Sequence, residues 1–140
     1  MKIDPEKVYS KFNDINESLA RLRAFKDISL DEFLQNQDHQ DIASFRLIVA
    51  TEAAIDLCLH ISARILHKVG DEYAACFKML GDADIISPEL AGRLADMARF
   101  RNLLVHRYWE IDYAMLYEII TGPDLEDLKH FVKEVGRLLD

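Results

Sequence analysis

Ser87 to Asp112 reads SPELAGRLADMARFRNLLVHRYWEID, and its first three residues signal the start of a helix. Ser87 is a capping residue, Pro88 suits the first turn, and Glu89 lies where the helix dipole favours an acid. Beyond them an apolar stripe runs through Leu90, Leu94, Met97, Leu104 and Tyr108, with Arg101 standing in a slot that calls for a hydrophobe. A guanidinium in that slot must snorkel to solvent, pair with an acid, or face a cavity or a subunit interface. From Arg93 to Arg107 the segment carries four arginines and one acid, Asp96. It is a basic strip.

Moving towards the N-terminus, Tyr73, Phe77 and Leu80 predict a short helix ending at Gly81. Before it, the longest helix is expected from Asp41 to Val69, closed by Gly70. Its expected stripe is Phe45, Ile48, Val49, Ile55, Leu59, Ser62 and Leu66, with Ala53, Ala54 and Ala63 allowing close approach of neighbours. The polar stretch Gln35 to Gln40 reads as a loop, and a short helix from Ser29 precedes it. Asp4-Pro5 opens the first helix, whose stripe is Val8, Phe12, Ile15, Leu19 and Leu22. On the C-terminal side a helix is expected from Tyr113 to Ile120, then a break at Thr121-Gly122-Pro123, then a last helix from Asp124 to Leu139. With no alternating strand pattern, the expectation is an all-α, up-and-down bundle of four to six helices, residues 1–140 forming one domain.

Composition agrees. Half of the 140 residues are hydrophobic, enough for a core, and five Gly and three Pro leave little punctuation for many short strands. No apolar run approaches the roughly 20 residues of a bilayer span, and the first residues do not resemble a signal peptide. Cys58 and Cys76 lack CxxC spacing and read as reduced core thiols, so a cytoplasmic location is expected. The formal charge of −8 argues against a protein that coats nucleic acid indiscriminately. A local basic strip on an acidic body can still take an RNA at one place.

Helix geometry constrains the polar residues of that strip. At about 100° per residue, Arg101 and Tyr108 lie within roughly 20° of each other, while His106 is about 140° from Arg101. Asn102 and His106 share a face at i and i+4. One straight helix would not aim Arg101 and His106 at one small target. Either the helix ends or bends near His106, or a second copy of the chain completes the site.

The run Arg101-Asn102-Leu103-Leu104-Val105-His106-Arg107-Tyr108 has the form R-N-x-x-x-H-x-Y. It resembles the signature of the HEPN superfamily, and its setting, FRNLLVHRYWEID, resembles the HepT branch. That likeness extends to the long central helix and the SPELA start. It implies a helical bundle, a two-fold homodimer, and a metal-independent endoribonuclease toxin of a type VII-like toxin-antitoxin pair. The implied partners are an RNA substrate (tRNA or mRNA) and an MntA-like nucleotidyltransferase antitoxin, with neither DNA nor a membrane. No cofactor is expected. The chemistry suits the residues, because attack by the RNA's own 2′-hydroxyl needs a proton acceptor, a proton donor and charge compensation at phosphorus. Imidazole can move the proton without a metal, and a planar guanidinium can hold two phosphate oxygens. The expected roles are therefore acid/base for His106, phosphate for Arg101, support of His106 for Asn102, and RNA phosphate contacts for Arg99 and Arg107. Tyr108 is expected to contact RNA, and the resemblance makes it the residue to which the antitoxin transfers AMP.

A competing constellation is Glu52, Asp56 and His60, at i, i+4 and i+8 of the central helix. Di-iron bundles also need Glu-x-x-His pairs, which this chain lacks, so no metal site is expected. Glu52 and Asp56 are better placed to pair with arginines of a neighbouring helix, Arg101 among them. Two other function classes stay open: a non-catalytic helical module that binds or presents nucleotides to a nucleotidyltransferase, and a purely structural dimeric bundle.

Overall fold

The computed structural model describes residues 3–139, and within them the chain is all-α. The helices are α1 (Pro5–Arg23), α2 (Leu30–Leu34), α3 (Gln37–Ile61), α4 (Tyr73–Asp82), α5 (Pro88–His106), α6 (Tyr113–Thr121) and α7 (Glu126–Gly136). Short 3₁₀ turns link several of them. Seven helices exceed the expected four to six by one, and each falls on a segment read as helical in the sequence, the five-residue α2 on the short helix from Ser29. The long helices pack as a bundle, α1 along α3 and α4 against α5, with α3 and α5 in contact across the middle. No helix of the described residues is long and apolar enough to cross a membrane.

Several helix starts follow the expected capping chemistry. Asp4 accepts the Glu6 backbone N–H at 3.0 Å at the start of α1. Ser87 Oγ accepts that of Leu90 at 3.2 Å at the start of α5, and the Ser87 N–H donates to Glu134 of α7 at 2.8 Å. The entry of α5 is thereby pinned to another helix.

The central helix departs from expectation at both ends and on its buried face. It starts at Gln37, because Asn36 caps it by accepting the His39 N–H at 3.1 Å. Gln40 is buried and donates to the carbonyls of Phe33 and Leu34, at 3.0 and 3.2 Å. The polar stretch expected to be a loop is thus two caps and a first helical turn. At the other end α3 runs into a π turn, Ser62–Leu66, closed by His67 in the left-handed conformation (φ 55°) and not by Gly70. The stripe that packs inward is Ala43, Leu47, Ala50, Ala54, Leu57, Cys58 and Ile61, while Phe45 is 57% exposed. Small residues hold much of the core face of this helix, which packs along α1 and also against α4 and α5. Of the expected stripe, Ile55 and Ser62 are buried, and Ile48 and Leu59 pack partly buried against the core.

The turn between α4 and α5 has a similar tight contact. A Cβ added at Gly81 would stand 2.6 Å from that of Ala91, so the absence of a side chain lets the two helices meet. Cys58 and Cys76 are buried and free, and Ser62 Oγ lies 3.3 Å from Cys76 Sγ.

Candidate active site at the end of helix α5

Helix α5 stops at His106. The Arg107 N–H still bonds the Leu103 carbonyl at 2.9 Å, but Arg107 itself has left the helical conformation (φ −138°, ψ 44°). The chain then makes a 3₁₀ turn, Tyr108–Glu110. Of the two ways to reconcile Arg101 with His106, the helix end is the one seen. Both residues line one open groove, together with Arg99, Asn102, Arg107 and Tyr73 of α4.

Arg101 is the most enclosed member, its side chain 12% exposed. Its Nη2 donates to Glu52 of α3, its Nη1 donates to Asn102 Oδ1 at 2.9 Å, and the guanidinium lies 5.5 Å from the Tyr73 ring centroid. The polar residue set into an apolar stripe therefore resolves as an ion pair facing a groove, with a cation–π contact on one side. Its Nε is buried without a hydrogen bond, a loss of about 1–3 kcal/mol that the other contacts must offset. Asn102 serves Arg101 here; the expectation that it holds His106 is not met. The imidazole of His106 is exposed and neither nitrogen has a protein partner among the described residues. It is open to a ligand.

The basic strip is balanced by carboxylates. Arg93 pairs with Asp127 at 3.0 Å, Arg99 with Asp96 at 2.8 Å, Arg101 with Glu52, and Arg107 with Glu110 through two bonds of 2.7 and 2.9 Å. Hydrogen bonding from Arg107 holds the Glu110 carboxyl below its ordinary range. The pairs at Arg99 and Arg107 are exposed, contribute little stability, and can exchange a carboxylate for a phosphate at small cost.

Tyr108 was expected in line with Arg101 along the apolar stripe. Because α5 ends two residues earlier, Tyr108 instead projects from the 3₁₀ turn, 64% exposed, its ring edge-on to Trp109. It follows Arg107, which lines the groove, and is not itself among the lining residues. Sequence reasoning missed Asp71, Glu72 and Tyr73, which line the same groove. No local pattern marks them, since they come from a loop and helix start some thirty residues upstream. The Glu52, Asp56 and His60 stripe is taken apart by other partners. Glu52 binds Arg101, Asp56 binds Lys11 at 3.1 Å, and His60 Nε2 accepts the Asp4 N–H at 3.0 Å.

An all-α bundle in which R-N-x-x-x-H-x-Y spans the end of a capped helix has the form that the HEPN resemblance implies. The chain belongs to the HepT-like family, described as ribonuclease HepT-like, whose model matches residues 15–135. It is 32% identical over 139 residues to the tRNA nuclease HepT of Aphanizomenon flos-aquae, covering 98% of this chain and 92% of that one. Similarity to the mRNA nuclease HepT of Shewanella oneidensis is 27% over 101 residues, or 72% of this chain and 75% of the relative. Among solved structures, the fold matches the tri-AMPylated Shewanella oneidensis HEPN toxin in complex with MNT antitoxin, with a TM-score of 0.86 at 23% identity, covering 94% and 97% of the two chains. It also matches YutE of Bacillus subtilis, a cytosolic protein of unknown function, with a TM-score of 0.83 at 18% identity and 98% and 91% coverage.

Proposed function

We propose that this chain is a metal-independent endoribonuclease toxin neutralised by a partner nucleotidyltransferase. The observation that carries the reading is the opening of Arg101 and His106 onto one groove at the end of α5. The nuclease names of its relatives support it. In the proposed reaction the RNA 2′-hydroxyl attacks the adjacent phosphorus, the bond to the 5′-oxygen breaks, and a 2′,3′-cyclic phosphate and a 5′-hydroxyl result. His106 moves the proton, Arg101 compensates the charge growing on the phosphate oxygens, and Asn102 steadies Arg101. Arg99 and Arg107 take flanking phosphates by exchanging their carboxylate partners. The near full-length relationship to a tRNA nuclease favours tRNA over mRNA as substrate.

One observation favours a second reading, a helical module that only presents nucleotides to the nucleotidyltransferase: both terminal nitrogens of Arg101 are already engaged. RNA digestion separates the two. Arg101→Ala and His106→Ala should each lower cleavage by about 10²–10⁴ with the helical spectrum intact, and EDTA should leave the wild-type rate unchanged. Wild-type protein that cuts neither tRNA nor mRNA removes the nuclease reading, and activity lost to EDTA removes the metal-free mechanism. The cleaving species is proposed to be a homodimer, supported by exposed apolar residues on three helices that pack together: Leu34 on α2, Ile42 and Phe45 on α3, and Met115 on α6. Light scattering on the same preparations tests this; a monomer that cuts RNA contradicts it.

A further inference from the structure

We propose that Glu52 is a positioning residue of this site, fixing the plane of the Arg101 guanidinium so that its remaining N–H groups meet the scissile phosphate. The inference rests on the ribonuclease reading. Glu52 lies in the middle of α3, on a different helix from the motif, and receives one N–H of Arg101 Nη2. Asn102 receives one from Nη1 at 2.9 Å, and Tyr73 covers one side of the guanidinium. Each terminal nitrogen carries two N–H groups, so one on each remains for a ligand. The contacts that enclose Arg101 thus orient it without exhausting it.

Electrostatics separates positioning from mere packing. The Glu52 side chain is 46% exposed and bonds a guanidinium that lines the groove, whereas that of Arg101 is 12% exposed. A carboxylate so placed repels the incoming phosphate while it aligns the guanidinium. Removing its charge should therefore strengthen ground-state binding of RNA and weaken catalysis. A residue that only held the fold would weaken both, and one without a role would change neither. Asp56, one turn further along α3, is a built-in comparison, because its partner is Lys11 and not an arginine of the motif.

The test uses the full-length chain with Glu52→Gln, Glu52→Ala and Glu52→Asp, and Asp56→Asn as the comparison. Cleavage of a tRNA is measured as kcat and KM, and binding of a 2′-O-methyl RNA that cannot be cut is measured by fluorescence anisotropy. The expected result for Glu52→Gln and Glu52→Ala is a kcat lowered about tenfold to a hundredfold, with equal or tighter binding of the uncut RNA. Glu52→Asp should recover part of the rate, and Asp56→Asn should behave as wild type. Nitrogen-15 NMR of the arginine side chains gives a readout independent of cleavage. The Arg101 guanidinium protons, resolved in the wild type, should merge through free rotation in Glu52→Gln. Wild-type kcat in Glu52→Gln, parallel losses of binding and kcat, or unchanged Arg101 resonances would each overturn the assignment. Wild-type protein that cuts no RNA defeats the ribonuclease reading instead, and the NMR comparison then decides whether Glu52 orders Arg101.

Discussion

His60 shows how one side chain can leave a functional pattern and take a structural one. Its spacing from Glu52 and Asp56 fits a metal stripe, yet its Nε2 accepts the Asp4 backbone N–H at 3.0 Å and ties the start of α1 to the end of α3. Only a neutral imidazole can accept that bond. Burial, helped by the nearby charges of Lys7 and Arg64 and opposed by Asp4, pushes its pKa below the ordinary histidine value. Protonation is therefore harder in the folded chain than in the unfolded one. The stabilising contribution is complete above the unfolded value of about 6.5, and is lost as pH falls through the lower folded value. Urea denaturation between pH 7 and pH 5 should show wild type losing more stability on acidification than His60→Gln. Equal losses would mean that the clasp does not titrate as argued.

At the scale of elements, the α4–α5 hairpin depends on the missing side chain at Gly81. A methyl group there would meet Ala91 Cβ at 2.6 Å, so Gly81→Ala should destabilise the protein by about 1–3 kcal/mol through overpacking. Gly92, one residue beyond that contact on α5, has nothing within 4 Å of its would-be Cβ. There the same substitution should stabilise by about 0.5–1 kcal/mol, because alanine suits a helix better than glycine. Denaturant midpoints of the two variants should move in opposite directions; a shared direction would show that helix propensity, not the close contact, governs both sites. Gly81 read in the sequence only as a helix end, since its role belongs to a neighbour ten residues away.

For the molecule as a whole, regulation is proposed to act at Tyr108. Its exposed phenol projects from the turn that follows Arg107, open to a second enzyme. Transfer of AMP would bring a phosphodiester with about one negative charge and a base to the groove mouth, where Arg107 can trade Glu110 for it. Mass spectrometry of the chain co-expressed with a nucleotidyltransferase antitoxin should find AMP on Tyr108, and Tyr108→Phe should escape neutralisation. An unmodified Tyr108 in a neutralised toxin would assign inhibition to binding alone. The motif end of this machinery was legible in the sequence because it is local: a Ser-Pro-Glu start, an arginine in an apolar slot, a histidine five residues on. The bundle was legible for the same reason in α1, whose stripe of large residues is the buried one. In α3 the same reasoning was right only in part: Ile55 and Ser62 of the expected stripe are buried, but alanines and Leu47 take much of the inner side and Phe45 stands outside. Tyr73 was invisible as a site residue, since only the folded hairpin brings it to Arg101.

That hairpin can also be viewed as a pair of tweezers. Gly81 and Ala91 form its pivot, and Tyr73 and Arg101 are the tips, eight and ten residues away along their helices. At 1.5 Å per residue the arms are about 12 and 15 Å long, so a tilt of roughly 5° at the pivot moves a tip by about 1 Å. A displacement of that size at a catalytic group can lower a rate by about a hundredfold. The contact between two of the smallest side chains in the molecule thus sets the aperture around its most guarded arginine.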